Sequence, residues 1–172
     1  MPKLVIIRGY SGSGKTTISK KIAKKYRWEL INYDSFFFGM NIHEKKLKSD
    51  YEICFETIKD CLRNCIKNKR DVILEGALAP INKKDNYKTG EIIKIAKKQG
   101  YKVYRILLVD DEKVSYERMK KRQNIVKKWA YNLLKKKINR EHPKDEFVID
   151  TSKLTVRQIQ NKIEKFIKPK KD

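Results

Sequence analysis

Cysteine is scarce in this chain. Cys54, Cys61 and Cys65 are its only three, and an odd count without C-x-x-C spacing excludes both a zinc cluster and a disulfide frame. They lie seven and then four residues apart, on one helical face with Ile58 and Leu62, which predicts core packing. Long apolar runs are also missing, and none reaches the ~20 residues of a membrane span. The opening residues, MPKLVII, lack the apolar stretch and cleavage site of a secretory leader. A cytoplasmic protein without a membrane partner is expected. Oligomeric state is not legible.

Acids are outnumbered, 21 against 43 Lys and Arg, for a net charge of +22. One reading is a nucleic-acid partner, because clustered cations release counterions from a phosphate backbone. The other is coding bias, since the chain is also rich in Ile, Asn and Tyr and poor in Gly, Ala and Pro, as AT-rich coding produces. Charge alone does not choose between them. The 172 residues suit one domain, 1–172, without internal repeats.

What is present is an alternation of strands and helices. Residues 4–8 form a continuous apolar strand of the kind buried in parallel sheets. Ile18, Ile22 and Tyr26 then follow at helical spacing over 15–26, and ELIN at 29–32 reads as a second strand. Ser49 and Glu52 predict a capping box for a helix running to Ile66. Strands are expected at 71–75, 101–109 and 146–150, with a polar loop over 76–88 and a helix over 90–99 ended by Gly100. Asp111 caps a further helix carrying Val114 and Met119. Thr155 and Gln158 cap the last one, with Val156, Ile159, Ile163 and Phe166 on its inner face. Five strands alternating with helices predict an α/β fold with a parallel sheet and ligands beyond the strands' carboxyl ends.

Gly9-Tyr10-Ser11-Gly12-Ser13-Gly14-Lys15-Thr16 fits G-x-x-x-x-G-K-[ST], between a buried strand and a helix. Glycines let successive main-chain N–H groups curl around a phosphate, and the helix start adds its positive dipole end. Lys15 reaches the outer phosphates and the Thr16 hydroxyl suits Mg²⁺. Asp34, just past the second strand, is placed to accept a proton from an attacking hydroxyl, or is an ordinary turn aspartate. Glu75, closing the third strand, suits a metal shell, or pairs with a lysine. Arg118 and Arg122, four apart, share a helical face. They can neutralise phosphoryl oxygens, or form part of a solvated basic face.

Together GYSGSGKTT, YDSFF, VILEG and ERMKKR resemble the P-loop kinases of small molecules and nucleosides. DSFF and DVILEGALAP are similar to stretches of uridine and nicotinamide riboside kinases, and ILEGAL to zeta-toxin-type kinases. The resemblance spans roughly residues 3–167 and is specific at the phosphate loop. It implies a three-layer P-loop NTPase fold with five parallel strands in the order 2-3-1-4-5. It also implies that Gly12, Ser13, Gly14, Lys15, Thr16 and Thr17 wrap the phosphates of ATP, with Gly9 and Ser11 opening the loop. Asp34 becomes the general base, Thr16 a Mg²⁺ ligand, Glu75 the support of the metal or of the acceptor, and Arg118 and Arg122 lie in or beside a basic lid at about 118–144. Where polynucleotide 5′-kinases carry an arginine three residues after the aspartate, this chain has Phe37.

The expected reaction moves the γ-phosphoryl group of ATP to a hydroxyl of a small, nucleoside-like acceptor. Phe36, Phe37 and Phe38 either stack on that acceptor or pack inward. The lid holds Trp129, Tyr131 and eleven Lys or Arg against one acid, Glu141. Such a stretch either grips a second acceptor class, a polynucleotide 5′-hydroxyl, or only solvates a helix, with Trp129 turned inward beside Val126 and Leu133. NKKD at Asn82–Asp85 matches a guanine-reading pattern, so a GTP-dependent switch is a third reading. It follows Pro80 directly rather than a late apolar strand, which speaks for coincidence.

Overall fold

Leu4, Val5, Ile6 and Ile7 are all buried, because their strand runs through the middle of a sheet covered on both faces. The computed structural model of the chain describes residues 1–39, 48–78, 86–120, 131–132, 135–136 and 145–167. In chain order the elements are β1 (Lys3–Gly9), α1 (Lys15–Tyr26), β2 (Glu29–Asn32), α2 (Tyr33–Gly39), α3 (Lys48–Lys67) and β3 (Val72–Gly76). They continue with α4 (Asn86–Lys98), β4 (Lys102–Val109), α5 (Glu112–Lys120), β5 (Phe147–Asp150) and α6 (Val156–Ile167). All strand pairs are parallel, in the order β2-β3-β1-β4-β5 expected from the resemblance.

Strand alternation divides the core in two. Leu4 and Ile6 pack with Cys54, Ile58, Leu62, Ile92 and Ala96 beneath α3 and α4. Val5 and Ile7 pack with Ile18, Ile22, Ile159 and Ile163 beneath α1 and α6. Each such buried aliphatic contributes roughly 1.5–3 kcal/mol relative to exposure, so both helical layers are fixed by β1. The crossovers bring the ends of β1, β2 and β3 together at one edge. Among the described residues no helix is long and apolar enough to cross a membrane.

Several expectations are corrected. No loop follows β2, because Asn32 caps α2 directly: its Oδ1 accepts the Ser35 N–H at 2.6 Å. Ser49 lies inside α3 rather than at its cap, since that helix starts at Lys48, and α4 begins at Asn86, within the stretch read as loop. Cys54 is buried and Cys65 half-buried, but Cys61 is exposed, so the three do not form one core stripe. Val156 is 40% exposed at the first position of α6, before that helix settles on the sheet. The Thr155–Gln158 capping box is present: Gln158 N–H donates to Thr155 Oγ1 at 3.3 Å and Thr155 N–H to Gln158 Oε1 at 2.8 Å. Gly100 ends α4 in the left-handed region at φ 77°. His43, Pro80, Asn82–Asp85, Arg122 and Trp129 lie outside the described residues.

Candidate active site

The loop between β1 and α1 is shaped by its close approach to α5. Gly12 has φ 88°, and a Cβ there would collide with the Ser115 carbonyl oxygen, so no other residue fits without displacing that helix. Ser13 N–H donates to the Tyr10 carbonyl at 3.2 Å, which curls the chain back on itself. Ser11, Thr16 and Thr17 are half-buried around this curl, and Ser13 is buried. Helix α1 starts at Lys15 behind Gly14 with no acid in its own first turn, so its positive end is turned to the loop.

Lys15 is buried, and its ammonium has two oxygen neighbours. Nζ donates to the Tyr10 carbonyl at 3.4 Å and stands 3.7 Å from Asp34 Oδ2. Asp34 occupies the first turn of α2, put there by the Asn32 cap. Both its oxygens accept the Ala77 N–H, at 3.3 and 3.2 Å, just beyond β3. About a third of the Asp34 side chain remains exposed, at 34%, so a hydroxyl from solvent can reach it. Gly76 permits this arrangement, since a Cβ there would lie 2.8 Å from Tyr33 Cβ.

Glu75 lies beside this pair, fully buried. Thr16 Oγ1 donates to its Oε1 at 3.1 Å, and the Asn32 amide donates to its Oε2. Burial pushes the Glu75 carboxyl up, the Lys15 ammonium opposes this, and Asp34 adds to it. A cation bound here would stabilise the charged form of the carboxylate. The donor set, one carboxylate and one hydroxyl facing a phosphate loop, suits Mg²⁺, which takes few protein ligands and keeps waters and phosphates. Among the described residues no three His, Cys, Asp or Glu side chains converge, so no all-protein metal cage is built.

Arg118 is engaged by a carboxylate at the end of β4. Its Nη1 lies 3.5 Å from Oδ2 of Asp110, whose side chain is completely buried at the end of β4. Burial pushes the Asp110 carboxyl up to about 6, against the Ser115 hydroxyl, Arg118 and Lys135, while Asp150 reinforces the rise. The Tyr10 hydroxyl accepts the Asp110 N–H at 3.2 Å, and burial raises that phenol to about 12. Tyr131, read as a gripping aromatic of the lid, is instead fully buried. Its ring stands edge-on to Tyr10 and Tyr116, and its hydroxyl bonds Ser115. Phe36 packs against the α3–α4 core, and the side chains of Phe37 and Phe38 lie outside the described residues.

Two residues of this region escaped the sequence reading. Asn32 both caps α2 and bonds Glu75, and an asparagine closing a strand just ahead of an acid was its available signal. Asp110 had no such signal, since an acid after an apolar strand looks the same whether buried or solvated.

A family model described as an AAA domain matches residues 4–141. A cytidylate kinase of Acinetobacter baylyi is 30% identical over 67 residues, which is 38% of this chain and 28% of that enzyme's length. A sugar kinase from Janibacter sp. HTCC2649 superposes with a TM-score of 0.71 at 17% identity, over 97% of this chain and 95% of that one. An APS kinase of Mycobacterium tuberculosis, solved with AMPPNP and APS, gives a TM-score of 0.67 at 12% identity, over 96% of this chain and 97% of that one.

Proposed function

The chain belongs to the AAA-domain family and has the fold of P-loop kinases, and from that premise we propose that it is an ATP-dependent kinase whose acceptor is a hydroxyl of a small, nucleoside-like molecule. The observation that carries this reading is the Lys15 ammonium 3.7 Å from the Asp34 carboxylate at the mouth of the glycine loop. One group suits the oxygens of the phosphate being transferred, and the other suits the alcohol that receives it.

In this reading Gly9, Ser11, Gly12, Ser13, Gly14 and Thr17 form the loop around the ATP phosphates, and Lys15 sits on the outer ones. Thr16 and Glu75 would hold Mg²⁺, which supplies charge neutralisation between the phosphates. Asp34 takes the proton of the acceptor hydroxyl as its oxygen forms a bond to the γ-phosphorus. The bond from that phosphorus to the bridging oxygen breaks, and ADP leaves with the electron pair. Ala77 N–H fixes the direction in which Asp34 faces. Arg118, and Arg122 in the lid expected at about 118–144, neutralise the anionic oxygens once Arg118 leaves Asp110.

The nucleoside-like acceptor rests on the YDSFF and VILEG motifs. The basic stretch at about 118–144, with eleven Lys or Arg against one acid, suits a second acceptor class, the 5′-hydroxyl of a polynucleotide. A transfer screen with γ-labelled ATP over nucleosides, sugars and 5′-hydroxyl oligonucleotides, at two salt concentrations, separates them. Label on a nucleoside at both salts is expected. Label only on the oligonucleotide, lost steeply with salt, overturns the acceptor class, and label on nothing overturns the enzyme.

A further inference from the structure

Charge is divided unevenly between the two helical layers. Helix α1 carries no acid and α6 carries one, Glu164. Glu164 is already engaged, by Lys25 at 2.6 Å and by Gln160 at 2.8 Å. Lys20, Lys21 and Lys24 on α1, and Arg157, Lys162 and Lys165 on α6, are all exposed. Among the described residues none of these six has an ion-pair partner. The opposite layer is different. Asp50, Glu52, Glu56 and Asp60 on α3 are interleaved with its basic residues, and α4, with one acid, Glu91, against four lysines, adds to that layer. Lys59 is bonded by Glu56 at 2.7 Å and Glu91 at 3.4 Å, and Arg63 by Asp60 at 2.7 Å.

Coding bias raises lysine on both layers alike. It does not remove acids from one of them. The two bare helices also form one surface. Ile18 and Ile22 of α1 and Ile159 and Ile163 of α6 are buried in the same cluster, and the Lys25–Glu164 pair crosses between the helices. Six unpaired cations on one face repel each other, and a polyanion relieves that repulsion. A 12-residue helix is about 18 Å long, enough to face about five nucleotide steps of a duplex strand.

We infer that the outer α1–α6 face is a sequence-independent binding surface for the phosphodiester backbone of a nucleic acid. Lysine and arginine ends contact phosphates, which fixes position without reading bases. The aromatic rings of these helices are not offered for base stacking, since Tyr26 packs on Trp28 and Phe166 on Phe147. A membrane surface fits less well. Interfacial helices insert an apolar side, and here both apolar sides are spent on the sheet, with Val156 the exposed large hydrophobic that remains on either helix among the described residues. The surface faces away from the sheet and operates whether or not the phosphate loop turns over.

The test is fluorescence anisotropy of the full chain against labelled duplex DNA, duplex RNA and single strands, between about 50 and about 200 mM salt. Vesicles of anionic lipid serve as a parallel arm. The variant K20E/K21E/K24E is compared with K94E/K97E/K98E on α4, which makes the same change of charge at exposed positions of the other layer. Circular dichroism shows that each variant is folded. Binding of duplexes by the unaltered chain is expected, weaker by at least about tenfold in the α1 variant, with a salt slope shallower by about two to three. The α4 variant keeps its affinity within about threefold. Equal losses in both variants, no loss in either, no binding by the unaltered chain, or binding to vesicles without binding to duplexes each overturns the inference. Preference among DNA, RNA and single strands assigns the backbone that the surface holds.

Discussion

Arg118 and Asp110 form a half-exposed ion pair, 3.5 Å from Nη1 to Oδ2, in which the arginine is 41% exposed and the carboxylate completely buried. The pair links α5 to the end of β4 beside the phosphate loop. Because Asp110 accounts for the resting position of Arg118, its titration bears on stability and on the availability of the arginine.

Asp110 ionises near pH 6 in the folded chain and near about 3.9 when unfolded. Between these values the unfolded chain loses its proton first, so this group's contribution to stability falls as pH rises. The full difference, roughly 3 kcal/mol at about 1.36 kcal/mol per unit, is reached above the folded value. Below the unfolded value it vanishes. The charged groups facing Asp110 are Arg118, Lys135 and Asp150, with the Tyr10 and Ser115 hydroxyls beside it. Asp110→Asn removes this term. Urea unfolding at several pH values is expected to show the variant gaining on the unaltered chain from about pH 4 to about pH 7. A difference that stays flat across that window shows that Asp110 is not the titrating group.

Lys15→Ala is expected to lower phosphoryl transfer by about 10² to 10³, the usual loss of roughly 3 kcal/mol for one preorganised charge contact. Steady-state rates with labelled ATP measure it. Near-normal turnover removes Lys15 from the mechanism.

Asp34→Asn keeps the size of the side chain and its ability to accept the Ala77 N–H, but not the basicity. ATP affinity, read by calorimetry, is expected to hold within a few-fold, while the transfer rate falls by about 10² or more. If nucleotide binding collapses together with the rate, Asp34 serves the architecture of the loop rather than the acceptor's proton.

Much of this was legible in the residues, for reasons that can be named. The strand order was legible through the resemblance of the glycine loop and the short motifs to P-loop kinases, whereas the alternation of strands and helices by itself gave a parallel α/β sheet. Helices α1 and α6 were legible because Ile18 with Ile22, and Ile159 with Ile163, repeat at helical spacing, α6 having the Thr155–Gln158 cap besides. The run YDSFFF hid α2, since three consecutive phenylalanines have no helical period and the signal was the side chain of Asn32. Tyr131 looked available in a basic stretch, yet the space between Tyr10 and Tyr116 takes it into the core. A partner far away in sequence decides its place, as Arg118 decides part of the environment of Asp110.

Glu75→Gln tests the metal reading without disturbing the shape of the pocket. The amide keeps an oxygen for the Thr16 hydroxyl, which donates to Glu75 Oε1 at 3.1 Å. Its NH2 would then face the Asn32 amide that donates to Glu75 Oε2, and Asn32 is held by its cap on Ser35, so the thermal midpoint is expected to fall by a few degrees, the lost hydrogen bond outweighing relief of the buried charge. The Mg²⁺ concentration for half-maximal activity is expected to rise about 10- to 100-fold, as for loss of a ligand's support.

Thiol labelling checks the packing of α3. Cys61 is exposed, Cys65 half-buried and Cys54 buried. Burial pushes the thiols of Cys54 and Cys65 up, which lowers their thiolate fraction at neutral pH as well as their access. A maleimide added to the native chain is therefore expected to modify Cys61 first and Cys65 slowly. Cys54 should react only at the rate at which α3 opens from the sheet. Peptide mass mapping over time resolves the three sites. Cys54 reacting as fast as Cys61 means that α3 does not stay packed over Leu4 and Ile6. Protection of Cys54 that strengthens on adding ATP instead ties the stability of this layer to the filling of the phosphate loop, since a ligand that binds only the folded state stabilises it by mass action.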